Sequence, residues 1–162
     1  MTRTHDTRHR LSRRRFLHVG ATTFGSAFAA GTASRLFAAA QISTTDLGGV
    51  TLFQGAGCNV IAMRGDDGAL MIDGGLKANA DALLAAVKSA TGVRRIHTLI
   101  NTHWHPEQTG ANEAVGRDGC IIFAHEKTRM YLSNRVTSVT FEGRRDPLPE
   151  IARPKQTTRG DG

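Results

Sequence analysis

Two histidines separated by one residue, His103 and His105, close a short apolar run, Ile96-His97-Thr98-Leu99-Ile100, and Glu107 and Gln108 follow directly. Imidazoles clustered at the end of a strand suit a metal ion. Backbone pairing keeps the strand rigid, and the loop beyond it presents neutral nitrogen ligands at the edge of a sheet. On extended backbone, side chains two residues apart point the same way. His103 and His105 can therefore reach one ion from one side, with Trp104 turned away.

Those residues need a frame. Upstream, Val50-Thr51-Leu52-Phe53, Cys58 to Met63 and Ala69-Leu70-Met71-Ile72 read as three strands. Gly55-Ala56-Gly57 separates the first two. Asp66-Asp67-Gly68 is a hairpin signal between the second and third, so the chain opens antiparallel. The third strand ends in Asp73-Gly74-Gly75, where glycine lets the chain leave the sheet. Leu76 to Ala90 reads as a helix, with Ala80, Leu83, Leu84 and Val87 on one apolar face and Gly92 as its stop. With 96–100 this makes a strand–helix–strand unit, whose crossover is right-handed and whose strands are parallel. Asp73 and His103 then share one sheet edge, the place where ligands bind in open α/β sheets. Asp73 has two readings from the residues alone: a group that orients the histidine loop, or a cap for its own turn.

Further on, Ala111 to Val115 reads as a short helix, Cys120 to Ala124 as a buried strand, and Glu126 to Ser133 as a helix. His97 opens its strand and His125 ends one; both read as hydrogen-bonded structural residues. Cys58 and Cys120 each open an apolar run and read as buried small side chains, with their pairing left open. From Thr140 the patterning fades. Pro147, Pro149 and Pro154 interrupt any element, and 151–162 reads as a loop or disordered tail.

Ile72-Asp73-Gly74-Gly75 and His103-Trp104-His105-Pro106-Glu107-Gln108-Thr109-Gly110 resemble two motifs of the metallo-β-lactamase superfamily. In that family Ile-Asp-Gly-Gly ends one strand, and His-x-His-x-Asp-His runs into Thr-Gly after another. The resemblance implies an αββα metallo-β-lactamase fold, with residues 41–150 as its first half only: a mixed sheet with helices on one face. It implies a zinc-dependent hydrolase acting on an ester, thioester or amide-type bond of a small-molecule substrate. His103 and His105 take the places of the first zinc's ligands. Glu107 stands where the family has Asp and Gln108 where it has the last His, both of which serve a second metal. Glu107 is then the water-orienting carboxylate. Gln108 offers a neutral, hard amide oxygen, a poor partner beside imidazole, so one Zn(2+) at most is expected. Asp73 takes the family's loop-orienting role. The family's later ligands have no counterpart before Gly162, so low or absent activity is expected of this chain. A non-catalytic remnant or an interaction module is the alternative.

The charge of +7 is not spread over the chain. Residues 1–40 carry seven arginines against Asp6 alone, and the remaining 14 basic residues face 13 acidic ones. A globular part so balanced lacks the basic surface that phosphate binding needs, so no nucleic-acid partner is expected. Ser12-Arg13-Arg14-Arg15-Phe16-Leu17 resembles the twin-arginine export motif, with Arg13 and Arg14 as the paired arginines. A mildly apolar run, Val19 to Ala30, and an Ala38-Ala39-Ala40 cleavage site follow. Residues 1–40 thus read as a signal peptide, the translocase as a transient partner, and the periplasm or exterior as the destination. A sheet covered on one face leaves the other apolar and open to water. Pairing with a complementing chain or with a second copy is expected to cover it.

Overall fold

The computed structural model describes residues 41–137 and 144–160; the export motif with Arg13 and Arg14 lies outside them. Strand β1 (Ser43–Asp46), β2 (Thr51–Gln54), β3 (Val60–Gly65) and β4 (Gly68–Ile72) form an antiparallel meander. The hairpin between β3 and β4 pairs Gly65 with Gly68 and turns through Asp66 and Asp67. A 3-10 turn at Lys77–Asn79 leads into α1 (Ala80–Thr91), which ends at Gly92 with a left-handed φ of 67°. That is the conformation a helix stop requires of glycine. β5 (Ile96–Asn101) then pairs with β4 in parallel, and β6 (Ile121–His125) pairs with β5 in parallel.

Between β5 and β6 lie α2 (Pro106–Thr109) and α3 (Asn112–Arg117). The histidine loop is thus shorter than the sequence suggests. Pro106 sits in the first turn of α2, where its fixed φ suits a helix start and its missing N–H costs nothing. After β6 comes α4 (Glu126–Ser133). A small pair of strands follows, β7 (Val136–Thr137) and β8 (Arg144–Arg145).

One reading needs correction. Residues 151–160 are not a disordered tail. A 3-10 turn at Glu150–Ala152 packs on α3, and β9 (Gln156–Thr158) pairs in parallel with β6 at the sheet edge. Ala152 is fully buried, and its carbonyl accepts from the buried Asn112 Nδ2 at 3.0 Å. β9 escapes notice in sequence because its order comes from backbone pairing, and its polar residues carry no alternation. β1 is missed for the same reason: all four of its residues are exposed.

Among the described residues the sheet runs β1-β2-β3-β4-β5-β6-β9. One face carries the core: Phe53, Val60, Met71, Leu99 and Ile122 are essentially inaccessible, with Leu83 and Val87 of α1 and Val115 of α3 in the same cluster. No helix among the described residues is long and apolar enough to cross a membrane. Cys58 and Cys120 are both free thiols.

Candidate metal centre

The parallel register brings the C-terminal ends of β4, β5 and β6 to one edge. Asp73 follows β4 there and holds φ at +63°, a left-handed conformation for a residue with a Cβ. Such a conformation costs on the order of 1–3 kcal/mol and persists where surrounding contacts impose it. The contacts are explicit. Asp73 N–H donates to Ile100 O at 2.8 Å. Its carboxylate accepts from Thr102 N–H at 2.8 Å and from the Thr102 hydroxyl at 2.7 and 3.0 Å. Burial pushes the Asp73 carboxyl above its ordinary value, and the Thr102 bonds pull it back toward the charged form.

Thr102 passes this order to the first histidine. Its Oγ1 lies 3.0 Å from His103 Nδ1. The hydroxyl has one proton, and Asp73 takes it, so the ring nitrogen must be the donor. His103 is thereby held as the Nδ1–H tautomer, which leaves the Nε2 lone pair for a ligand.

His103 and His105 do come together, with ring centroids 4.7 Å apart, edge to face. Trp104 is not turned away from the histidines as the strand spacing suggests: its ring packs edge to face with His105 at 4.8 Å and stacks on Tyr131 at 4.7 Å. Glu107 Oε1 lies 3.6 Å from His105 Nδ1, inside ion-pair range and outside hydrogen-bond range. Gln108 is buried, and its Oε1 has no hydrogen-bond partner. Its backbone carbonyl, by contrast, accepts from Gly74 N–H at 2.6 Å and Asn101 Nδ2 at 3.1 Å. A third stitch joins Gly110 N–H to Gly75 O at 2.8 Å. A Cβ at Gly110 would lie 2.3 Å from that same oxygen, so only glycine allows the two loops to meet this closely.

Two residues of this edge carry no motif signal. Arg145 of β8 donates from Nη1 to Trp104 O at 2.6 Å and from Nη2 to Thr109 Oγ1 at 3.0 Å, clamping both ends of the histidine segment. Burial lowers its pKa, and nearby Glu107 opposes that shift. Cys58 is the other. Burial raises its thiol pKa, the backbone of Gly75 opposes that shift, and the charges of Asp73 and Glu107 add to it. The β3–β4 register could have found it, since continuing the pairing of Ile61 with Ile72 by three residues sets Cys58 opposite Gly75.

His97 and His125 stand apart. His97 Nδ1 meets Thr98 Oγ1 at 2.9 Å. The His125 ring caps α4 by accepting from Lys127 N–H at Nδ1, 3.1 Å away, and its Nε2 lies 3.0 Å from Gly160 N near the chain end.

The donor set fits zinc in part. Two imidazoles at this spacing are within reach of one ion, given Zn–N bonds of ~2.0–2.1 Å. Catalytic zinc takes three protein ligands. Among the described residues, no three His, Cys, Asp or Glu side chains converge on a point that could hold an ion.

Known proteins agree with this frame. The family model described as the metallo-beta-lactamase superfamily matches residues 54–160. No curated protein matches. A solved B3 metallo-β-lactamase described as having an active site glutamic acid superposes with a TM-score of 0.60 at 20% identity, over 76% of this chain and 47% of its own. MEM-A1, a subclass B3 enzyme from a soil metagenome library, gives 0.54 at 16%, over 70% and 43%. Rm3 metallo-β-lactamase gives 0.54 at 19%, over 69% and 42%. The chain thus spans less than half the length of these relatives. Its mixed sheet, the Asp73 turn and the histidine loop, matched across residues 54–160, make this chain a member of the metallo-β-lactamase superfamily.

Proposed function

We propose that this chain is an exported zinc-dependent hydrolase relative that takes up one zinc ion through His103 and His105. Its substrate class is a small molecule with an ester, thioester or amide-type bond. The observation that carries this reading is the relay from Asp73 through Thr102 to His103 Nδ1, which leaves Nε2 as that ring's lone-pair nitrogen while the His105 ring lies beside it. Zinc, when bound, renders water acidic enough to act near neutral pH and polarises the oxygen of the scissile group. The chain's own part is to fix the two rings, and to orient a water through the half-exposed carboxylate of Glu107. A glutamate is described in the active site of one solved relative, which supports a carboxylate of this length on this fold.

Turnover by this chain is low or absent, because two imidazoles are one protein ligand short of a usual catalytic centre. Export rests on the Arg13-Arg14 motif and its flanking leader. A non-catalytic relative is the second reading. It is favoured by Gln108, whose amide is buried rather than offered at the surface.

Metal content of the purified chain separates the two. About one zinc per chain by elemental mass spectrometry, lost in His103→Ala, is the expected result for a histidine-built site. Equal and negligible zinc in both proteins makes the loop a remnant.

A further inference from the structure

We propose that a pocket behind the histidine loop binds a small amphipathic anion, a carboxylate carried on an apolar body. The inference stands apart from the zinc site, since His103, His105 and Glu107 do not line this pocket.

The pocket has a volume of about 470 Å³, within the ~300–1,000 Å³ range of small-molecule sites. Its walls come from the turn that leads into α1, from α2, from the first turn of α3, and from the stretch between β8 and Leu148. α1 and α3 share one core cluster with the closed face of the sheet. A pocket opening beside their N-terminal ends lies on that helix side, so it does not depend on what packs against the other face.

Three apolar side chains line it: Leu76, Pro106 and Leu148. Each is fixed by its backbone. Leu76 N–H donates to Ala56 O at 2.7 Å. Pro106 is held in the first turn of α2. Leu148 N–H donates to Leu132 O at 2.9 Å, and its carbonyl accepts from Arg153 Nε at 2.7 Å. A Cβ at Gly110 would collide with Lys77 N and Leu76 C, so the histidine segment and the turn before α1 are locked together. Walls set in advance leave little ordering cost to binding.

The charge on the walls is one-sided. Lys77, Arg144 and Arg145 face a single acid, Glu113. That acid is already paired at both oxygens: one accepts from Lys77 Nζ at 2.8 Å, the other from Arg117 Nη2. Arg145 is only partly exposed, yet both of its hydrogen bonds end on neutral oxygens, Trp104 O and Thr109 Oγ1. Arg144 is exposed and makes no hydrogen bond or ion pair among the described residues. A guanidinium carries five N–H donors in a planar fork, which matches a carboxylate. A partly buried cation without a counter-ion is the group an anion relieves. An apolar body against Leu76, Pro106 and Leu148 and a carboxylate on the two guanidinium groups satisfy both halves of the pocket. A neutral apolar molecule leaves the guanidinium groups unmatched, and a cation meets three like charges.

Octanoate and octanol share a chain and differ in the charged end, which makes them the probes. Each is titrated into the 15N-labelled full 162-residue chain and followed by amide chemical shifts. Octanoate should move the amides of Lys77, Gly110, Arg145 and Leu148 saturably. Octanol should bind roughly tenfold or more weakly, the loss expected for a charge-assisted hydrogen bond. Arg144→Glu reverses a charge at an exposed position and should weaken octanoate by roughly the same factor or more. If Arg144→Glu does not fold, Arg144→Gln decides, with a smaller loss in the same direction. Equal affinity for octanoate and octanol overturns the proposal. So do octanoate shifts confined to the other face of the sheet, an octanoate affinity that neither Arg144 variant lowers, and the absence of any saturable shift.

Discussion

The candidate centre is assembled by hydrogen bonds that converge on two imidazoles from distant parts of the chain. Asp73 reaches His103 through Thr102, and Arg145 holds the Trp104 carbonyl and the Thr109 hydroxyl on either side of His105. The paired histidines are legible in sequence because their spacing on a strand end is itself the chemistry. Asp73 is legible as a strand tip, although the positive φ falls on it rather than only on the glycines that follow. Arg145 was not legible. It lies 41 residues from its carbonyl partner, and its role is created by a two-residue strand with no pattern. Its contribution is open to measurement. Arg145→Met keeps much of the buried stem and removes both donors, leaving Trp104 O and Thr109 Oγ1 to find other partners. Loss of a residue that orients metal ligands costs ~10–100-fold in metal affinity. Zinc competition against a chromophoric chelator should show weakening of at least tenfold, with the circular dichroism spectrum unchanged. Unaltered affinity would make Arg145 a fold residue only.

At the level of elements, the central strand–helix–strand unit is legible except at the start of its helix, where Leu76 is extended and Lys77–Asn79 form a 3-10 turn ahead of Ala80. α1 shows helical periodicity, the strands are apolar runs, and the parallel crossover places Asp73 and His103 at one edge as expected. The outer strands were not legible, because they are polar and owe their order to the ladder. The segment after Pro149 depends on one close approach. A Cβ at Gly116 of α3 would lie 2.0 Å from Ile151 O and 2.9 Å from Ile151 C, both backbone. Gly116→Ala therefore sets two effects against each other. Helix propensity favours alanine by ~1 kcal/mol. The clash cannot be relieved by a side-chain rotation, and overpacking of this kind costs ~1–3 kcal/mol or more. It would also pull Ala152 O from Asn112, whose side chain is paired with Asn101 in the buried layer. The clash should win. Urea unfolding should show Gly116→Ala less stable by ~1–2 kcal/mol, with faster hydrogen exchange across β9 and the β6 residues it pairs with. A stabilised variant would mean that the 150–158 segment is not held against α3.

For the whole molecule, the chain from residue 41 on sets 14 basic residues against 13 acidic ones, so its response to pH comes from individual buried groups rather than from general repulsion. Cys120 is the clearest of these. It is 4% exposed at the start of β6, and burial pushes its thiol from an ordinary 9.0 up to about 11. Between those values the unfolded chain has lost its thiol proton while the folded chain retains it. The folded state binds more protons there, so stability falls as pH rises from about 9 toward 11 and is unaffected by this group below that window. A shift of this size corresponds to a loss of ~2–3 kcal/mol at the top of the window. Only a variant at this position isolates the effect of the Cys120 thiol. Cys120→Ala removes the titrating group and a single sulfur from the core, so it should be slightly less stable than wild type at pH 7. Wild type should then lose stability more steeply between pH 9 and 11, and the gap between the two proteins should narrow or reverse by pH 11. Parallel pH profiles from chemical unfolding would show that Cys120 reaches solvent in the folded chain, and that the closed face of the sheet is less tightly sealed than its packing indicates.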